Sequence, residues 1–281
     1  SHAVGVLFGR WDHKAQLVSN EQKPSVVPTE YPGLPPAQNR SSPSQGEQAG
    51  KSPLQIKGTG IVVDDPDHND DVIRLLRPVI ELVFNTTADA TESELCSCLG
   101  VRELRDYFRK PGKGGFWDDH ISRYSKSRRK APIYWLLQSS KKNYAIWLYY
   151  HRLDKDLLFK ALVNYVEPKI RAVSGESAEC SRQLEEAKAA GKPAKEMKQL
   201  QKKQQELDDF LSELQDFEDK LRRVANLHLE PDLNDGVVLN IAPLHELVPW
   251  KEARKYWDEL MEGQYEWSSI GKQLREKGLV K

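Results

Sequence analysis

The chain has 281 residues, 42 Lys+Arg balanced by 42 Asp+Glu, and 38% hydrophobic against 30% charged residues. That length allows one large domain or two smaller ones, and zero net charge excludes a polycation that coats nucleic acid along its whole length, so any anion site must be local. No apolar run approaches the roughly 20 residues of a membrane helix, no basic-then-apolar leader opens the chain, and three cysteines (Cys96, Cys98, Cys180) supply no disulfide framework; a cytoplasmic protein without membrane contact is expected.

Residues 3–18 read as a short apolar helix ending near Asp12, and a first residue that is Ser rather than Met suggests a fragment of a longer protein. Residues 19–58 carry seven prolines among many Ser, Gln and Gly, a composition that does not order itself independently. Gly60–Val63 predicts a short strand. Asp64, Asp65, Asp67, Asp70 and Asp71 follow, with His68 among them. Their spacing matches no metal loop, so they are expected to start a helix near Asn69 and not to hold metal. That helix carries Val72, Ile73, Leu76, Val79, Ile80 and Val83 at helical spacing. Glu92–Leu99 and Val101–Phe108 read as two short helices, with Cys96 and Cys98 packing.

The segment from Arg105 to Lys130 carries nine Lys/Arg against Asp106, Asp118 and Asp119, a local balance of +6. Glycines 112, 114 and 115 and the aromatics Phe108, Phe116 and Trp117 are interleaved with the charge. A polyphosphate backbone attracts such a field. The DNA-binding residues assigned on this ground are Arg109, Lys110, Lys113, Arg123, Lys126, Arg128, Arg129 and Lys130. Trp117–Lys126 is expected to be the helix that carries the basic face.

Ala131–Leu137 and Tyr144–Tyr150, joined by a polar turn at 138–143, predict a β-hairpin whose aromatics belong to the core. Asp154–Ile170 reads as a helix. Glu176–Ala190 and Ala194–Leu227 read as two more, split by Gly191-Lys192-Pro193. Leu200, Leu207, Leu211, Leu214 and Leu221 form a near-heptad stripe that favours an antiparallel helical hairpin. Lys198, Lys202 and Lys203 share that helix with many acids, so their field is expected to be largely cancelled. Asp232–Asn240 predicts a turn followed by a short strand, and two amphipathic helices near 251–261 and 266–277 close the chain as an aromatic docking tail. The fold class is α+β, mostly helical. A leading segment (1–58), a recognition region (59–172) and a helical region with docking tail (173–281) are expected.

No GxSxG, Walker A, HExxH or dinucleotide fingerprint occurs. An amino-methyltransferase grips the flipped base with an Asn/Asp/Ser-Pro-Pro-Tyr/Phe tetrapeptide. The Pro-Pro in Leu34-Pro35-Pro36-Ala37 has neither end of it. No catalytic or cofactor-binding residue is assigned, and the chain alone is expected to be inactive.

Four blocks nevertheless resemble one family in the same order. They are Ala3–Asp12; Tyr107–Trp117 followed by Ile133–Leu136; Tyr150-His151-Arg152-Leu153-Asp154-Lys155-Asp156; and Asp232–Val237. Together they resemble the region after the catalytic domain in large PglX-type adenine-specific DNA methyltransferases of BREX phage-defence systems and their restriction–modification relatives. The resemblance implies a parent protein that uses S-adenosylmethionine to methylate adenine N6, with its catalytic domain N-terminal to Ser1. Double-stranded DNA, that catalytic domain and other defence-system proteins are the implied partners. A helical protein–protein module built on 176–227 and the tail is the alternative, and a metal-dependent nuclease using the Asp64–Asp71 acids is a third reading.

Overall fold

The computed structural model describes residues 4–5, 59–84, 87–124 and 131–280. The expected 3–18 helix (Val4 and Gly5 apart), the proline-rich stretch and the basic run 125–130 lie outside the described residues. The described protein is mostly helical with a small three-stranded antiparallel sheet, the expected α+β class. It divides into two compact units, residues 1–135 with 147–153, and residues 136–146 with 154–281.

In the first unit β1 (Ile61–Asp64) leads through an acidic turn into α1 (Val72–Phe84), then α2 (Ala88–Leu99), α3 (Leu104–Arg109) and α4 (Phe116–Arg123). Val72, Ile73, Leu76, Val79 and Ile80 are buried as their spacing predicts; the Val83 side chain lies outside the described set. Cys96 is buried, whereas Cys98 is exposed. The hairpin strands are β2 (Tyr134–Gln138) and β3 (Ala145–Tyr149), in the sheet order β1-β3-β2. Every residue of the three strands is buried, which explains their unbroken apolar sequence in place of alternation. Strand β2 begins later than expected because Pro132 has no N–H to give a ladder. The N–H groups of Ile133 and Tyr134 donate instead to His120 Nε2, at 2.9 and 3.1 Å. The unit's aromatic core joins Phe108 to Phe116 and Phe116 to Trp147, both at 5.1 Å between ring centroids, with Trp117 at 6.2 Å from Trp147.

The second unit contains the hairpin turn, and one buried side chain shapes that turn. Glu213 is 3% exposed. Its carboxylate accepts from Ser139 Oγ (2.5 Å), Lys141 N (2.8 Å), Asn143 N (3.2 Å) and Asn143 Nδ2 (2.7 Å). Lys142 takes a left-handed φ of 66° there.

Helix α5 (Leu157–Ala161) runs through a π-helical turn (Leu162–Val166) into α6 (Glu167–Ala189). The break expected between Ile170 and Glu176 is absent. Pro168, which lacks the N–H for an α-helical bond, falls in the first turn of α6, and the wider turn before it lets Glu167 N reach Leu162 O. Helix α7 (Ala194–Ala225) returns antiparallel to α6, as three links show. Cys180 Sγ meets Leu200 O at 3.6 Å, Ser177 Oγ donates to Asp208 at 2.8 Å, and Arg222 donates to Glu167 at 2.9 Å. Between the helices, Gly191 N donates to Lys188 O and Lys192 N to Ala187 O. Gly191 holds φ 62°, the left-handed stop that glycine permits most cheaply.

After a 3₁₀ turn (Leu233–Asp235), the run expected as a strand forms α8 (Val237–Ile241). Asn240 Nδ2 donates to Asp232 O (2.7 Å) and Gly236 O (3.0 Å), fixing a helical turn. Helices α9 (Lys251–Met261) and α10 (Ser269–Glu276) pack Leu260, Ile270 and Leu274 against Leu239 and Ala242 of that segment. Asp235 Oδ2 caps α10 by accepting from Ser269 N (2.6 Å) and Ile270 N (3.2 Å). The Asp232–Val237 block is therefore a capping hub.

Candidate nucleic-acid interface

Helix α3 is six residues long and is followed at once by Lys110. Arg105 and Arg109 are four apart, so they share one side, and that side meets the acids that close β1 and open α1. Arg105 donates to both oxygens of Asp71, at 2.8 and 2.9 Å, and its Nη1 also reaches Asp64 Oδ1. Arg109 Nε reaches Asp64 Oδ2, and its Nη2 lies 3.3 Å from Asp64 Oδ1. The carboxylates of Asp64 and Asp71 are almost wholly buried.

Asp71 also accepts from Asp65 N (3.0 Å), Ile73 N (3.2 Å) and Arg74 N (3.0 Å), capping α1 as the sequence suggested. Burial alone would push its carboxyl up. The bonds from Arg105 and from the N–H groups of Arg74 and Asp65 outweigh burial and hold it below the usual carboxylate range. Burial likewise works against the Arg105 charge, and Asp71 and Asp64 overcome it. Of the five clustered acids, Asp64 and Asp71 form the ion-pair network, and Asp71 is also the helix cap.

This network revises the local charge. Asp64 and Asp71 lie outside the Arg105–Lys130 window, 34 to 45 residues before their partners. Of the eight assigned residues, Arg109 is turned into the network. Lys110, Lys113 and Arg123 are exposed. Lys126, Arg128, Arg129 and Lys130 lie outside the described residues.

The loop carrying Lys110 and Lys113 is tightly folded. Gly115 N donates to Gly112 O at 2.9 Å. A Cβ on Gly115 would sit 1.9 Å from Lys110 O, so only glycine fits. Gly114 takes φ 78°, and a Cβ there would lie 3.2 Å from Lys110 Nζ, so the Lys110 ammonium folds over the glycine turn. Behind the loop, Tyr107 OH donates to Asp119 Oδ2 at 2.8 Å, and burial together with that carboxylate pushes the phenol up. Asp118 and Asp119 already match the positive end of α4. The loop therefore offers exposed cations on a locked backbone, with its aromatics withdrawn into the core.

Sequence reasoning missed His120. It is 1% exposed, stacks on Phe116 at 5.6 Å and accepts the N–H groups of Ile133 and Tyr134 at the start of β2. Two accepted bonds on Nε2 require the neutral ring with its proton on Nδ1. His120 thus ties α4 to the start of β2, on either side of the basic run. Its signal was its place four residues after Phe116 on the buried face shared by Trp117 and Ile121.

Among the described residues, the 112–115 glycine turn is not arranged as a site for S-adenosylmethionine. The glycines of the 112–115 turn join two helices, whereas a nucleotide-type site needs a glycine turn between a parallel strand and a helix.

No protein-family model matches the chain. It is 31% identical over 210 residues, 70% of its length, to the adenine-specific methyltransferase BrxX of Escherichia coli O9:H4 (strain HS). It is 31% identical over 193 residues, 65% of its length, to the adenine-specific methyltransferase PglX of Lacticaseibacillus casei (strain Zhang). The matches cover 16% and 15% of those proteins, so the chain spans about one sixth of the length of the curated relatives it matches. By sequence, the chain is homologous to part of the adenine-specific methyltransferases BrxX and PglX.

Proposed function

We propose that this chain is a DNA-recognition region of a site-specific adenine-N6 methyltransferase acting in phage defence, with duplex DNA as its ligand. Methyl transfer from S-adenosylmethionine is then the work of a catalytic region other than these residues, as the missing tetrapeptide supports. The observation that supports the reading is the locked glycine loop, which carries the exposed Lys110 and Lys113 while Arg105 and Arg109 serve the fold. A locked backbone lowers the ordering cost of bringing such cations to phosphates, although the lysine stems themselves must still be ordered.

Fluorescence anisotropy with a labelled duplex at several salt concentrations tests it. The logarithm of the affinity should fall with log salt by about 0.9 per phosphate contact. A folded protein that fails to bind at low salt would sink the reading. Incubation with labelled S-adenosylmethionine and DNA should transfer no label to adenine, and stoichiometric transfer would show that the chain carries its own catalytic centre.

A further inference from the structure

A second basic surface lies at the turn end of the α6–α7 hairpin, the arm of the second unit. Between residues 187 and 205 there are six lysines (Lys188, Lys192, Lys195, Lys198, Lys202, Lys203) against Glu196, a local balance of +5. Residues 206–219 carry seven acids and no Lys or Arg. The helix that looked neutral as a whole is divided along its axis. Lys198 and Asp209 are about 16 Å apart along it, beyond the about 8 Å over which salt leaves exposed charges coupled.

The division falls on one face. At 100° per residue, Lys195, Lys198 and Lys202 line the side of α7 opposite the half-buried seam of Met197, Leu200, Gln204, Leu207 and Leu211. The same face continues into Glu206, Asp209, Glu213 and Asp216. Most of that acidic half is engaged within its own unit. Glu213 is buried under the hairpin turn, Asp209 lies 3.4 Å from Lys141, and Asp216 lies 2.6 Å from Lys220. In the basic half, Lys202 reaches Glu206 at 3.4 Å, while Lys195 and Lys198 have no carboxylate partner among the described residues. No residue of α7 from 194 to 212 is buried. The Gly191 stop fixes the tip in one shape.

We propose that this lysine face of the helical hairpin is a second contact for the phosphate backbone of duplex DNA. The inference rests on the DNA-recognition reading above. Ammonium groups three, four and seven residues apart span about 10 Å along a rigid helix, and they exchange condensed counterions for phosphates without a folding step. Such a contact supplies affinity and orientation without base selection.

The test is the salt dependence of duplex binding by the full chain, its Lys195→Gln/Lys198→Gln/Lys202→Gln variant and its Lys110→Gln/Lys113→Gln variant. Because all three arm lysines are exposed, the fold should persist, and circular dichroism checks that. The arm variant should lower the slope of log affinity against log salt by about 2–3, at about 0.9 per contact. Replacing the same lysines with arginine should keep the parental slope. If the parent binds, the loop variant weakens and the arm variant keeps the full slope, the arm faces another ligand, such as an acidic protein surface, and this inference falls alone. If only the arm variant weakens, the inference stands and the loop reading falls. No salt-dependent binding by the parent overturns both.

Discussion

The Arg105–Lys130 segment and the tip of the α6–α7 hairpin carry similar excesses of positive charge, +6 and +5, yet the fold treats them oppositely. At the loop, Arg105 and Arg109 are withdrawn to Asp64 and Asp71, acids from far earlier in the chain. At the hairpin tip the acids that seem to neutralise the lysines lie further along the same helix, and several are engaged elsewhere. A window of sequence overestimates the first field and underestimates the second. What counts is which charges share a face and which are spent on packing.

The sharpest way to break that comparison is to unmake the network behind the loop. Asp71→Ala removes a helix cap and leaves Arg105 without its bidentate partner. A loss of about 3–5 kcal/mol is expected, read as a lower denaturant midpoint. Charge reversal at Arg128, Arg129 and Lys130 should weaken duplex binding by about 2–4 kcal/mol, at about 1 kcal/mol per charged contact. Anisotropy at fixed salt measures it, and undiminished affinity would move the interface to the arm. Gly115→Ala drives a methyl group into Lys110 O, which should cost about 1–3 kcal/mol of stability and weaken binding with it.

Acid sharpens the contrast further. The folded Asp71 carboxyl titrates below its unfolded value of about 3.9. Its stabilisation is complete above that unfolded value and disappears as pH falls through the folded one, because the unfolded chain takes up the proton first. Unfolding midpoints measured between about pH 5 and pH 2 should fall more steeply for the parent than for Asp71→Asn. On the arm, Arg182 pairs with Glu179 and Glu186 in open solvent. Arg182→Ala should leave the midpoint unchanged within error, as exposed pairs contribute little.

The hairpin was legible in the sequence because two aromatic, β-branched runs flank a polar turn. The reversal after α6 was legible because Gly191 and Pro193 permit few alternatives. The Asp64–Asp71 network was not, since its partners meet only through the fold. Val237–Ile241 failed for a different reason. A three-residue apolar run suits strand or helix equally, and side-chain bonds from Asn240 favour the helical turn. Lys110 and Lys113 were found by charge alone, whereas the glycine contact that locks their loop is a backbone distance that no composition encodes.

The Glu213 carboxylate has a consequence for how the second unit forms. It joins α7 to a turn about seventy residues earlier in the chain. The entropy of closing so long a loop is lost before any of its four hydrogen bonds can form. Helix α7 and the hairpin can each grow from local contacts on microsecond timescales. Their union is the non-local event, and until it happens a turn built to wrap a carboxylate leaves its N–H groups to water. The final shape of the β-hairpin turn therefore depends on that long-range union, with the long helix as its template.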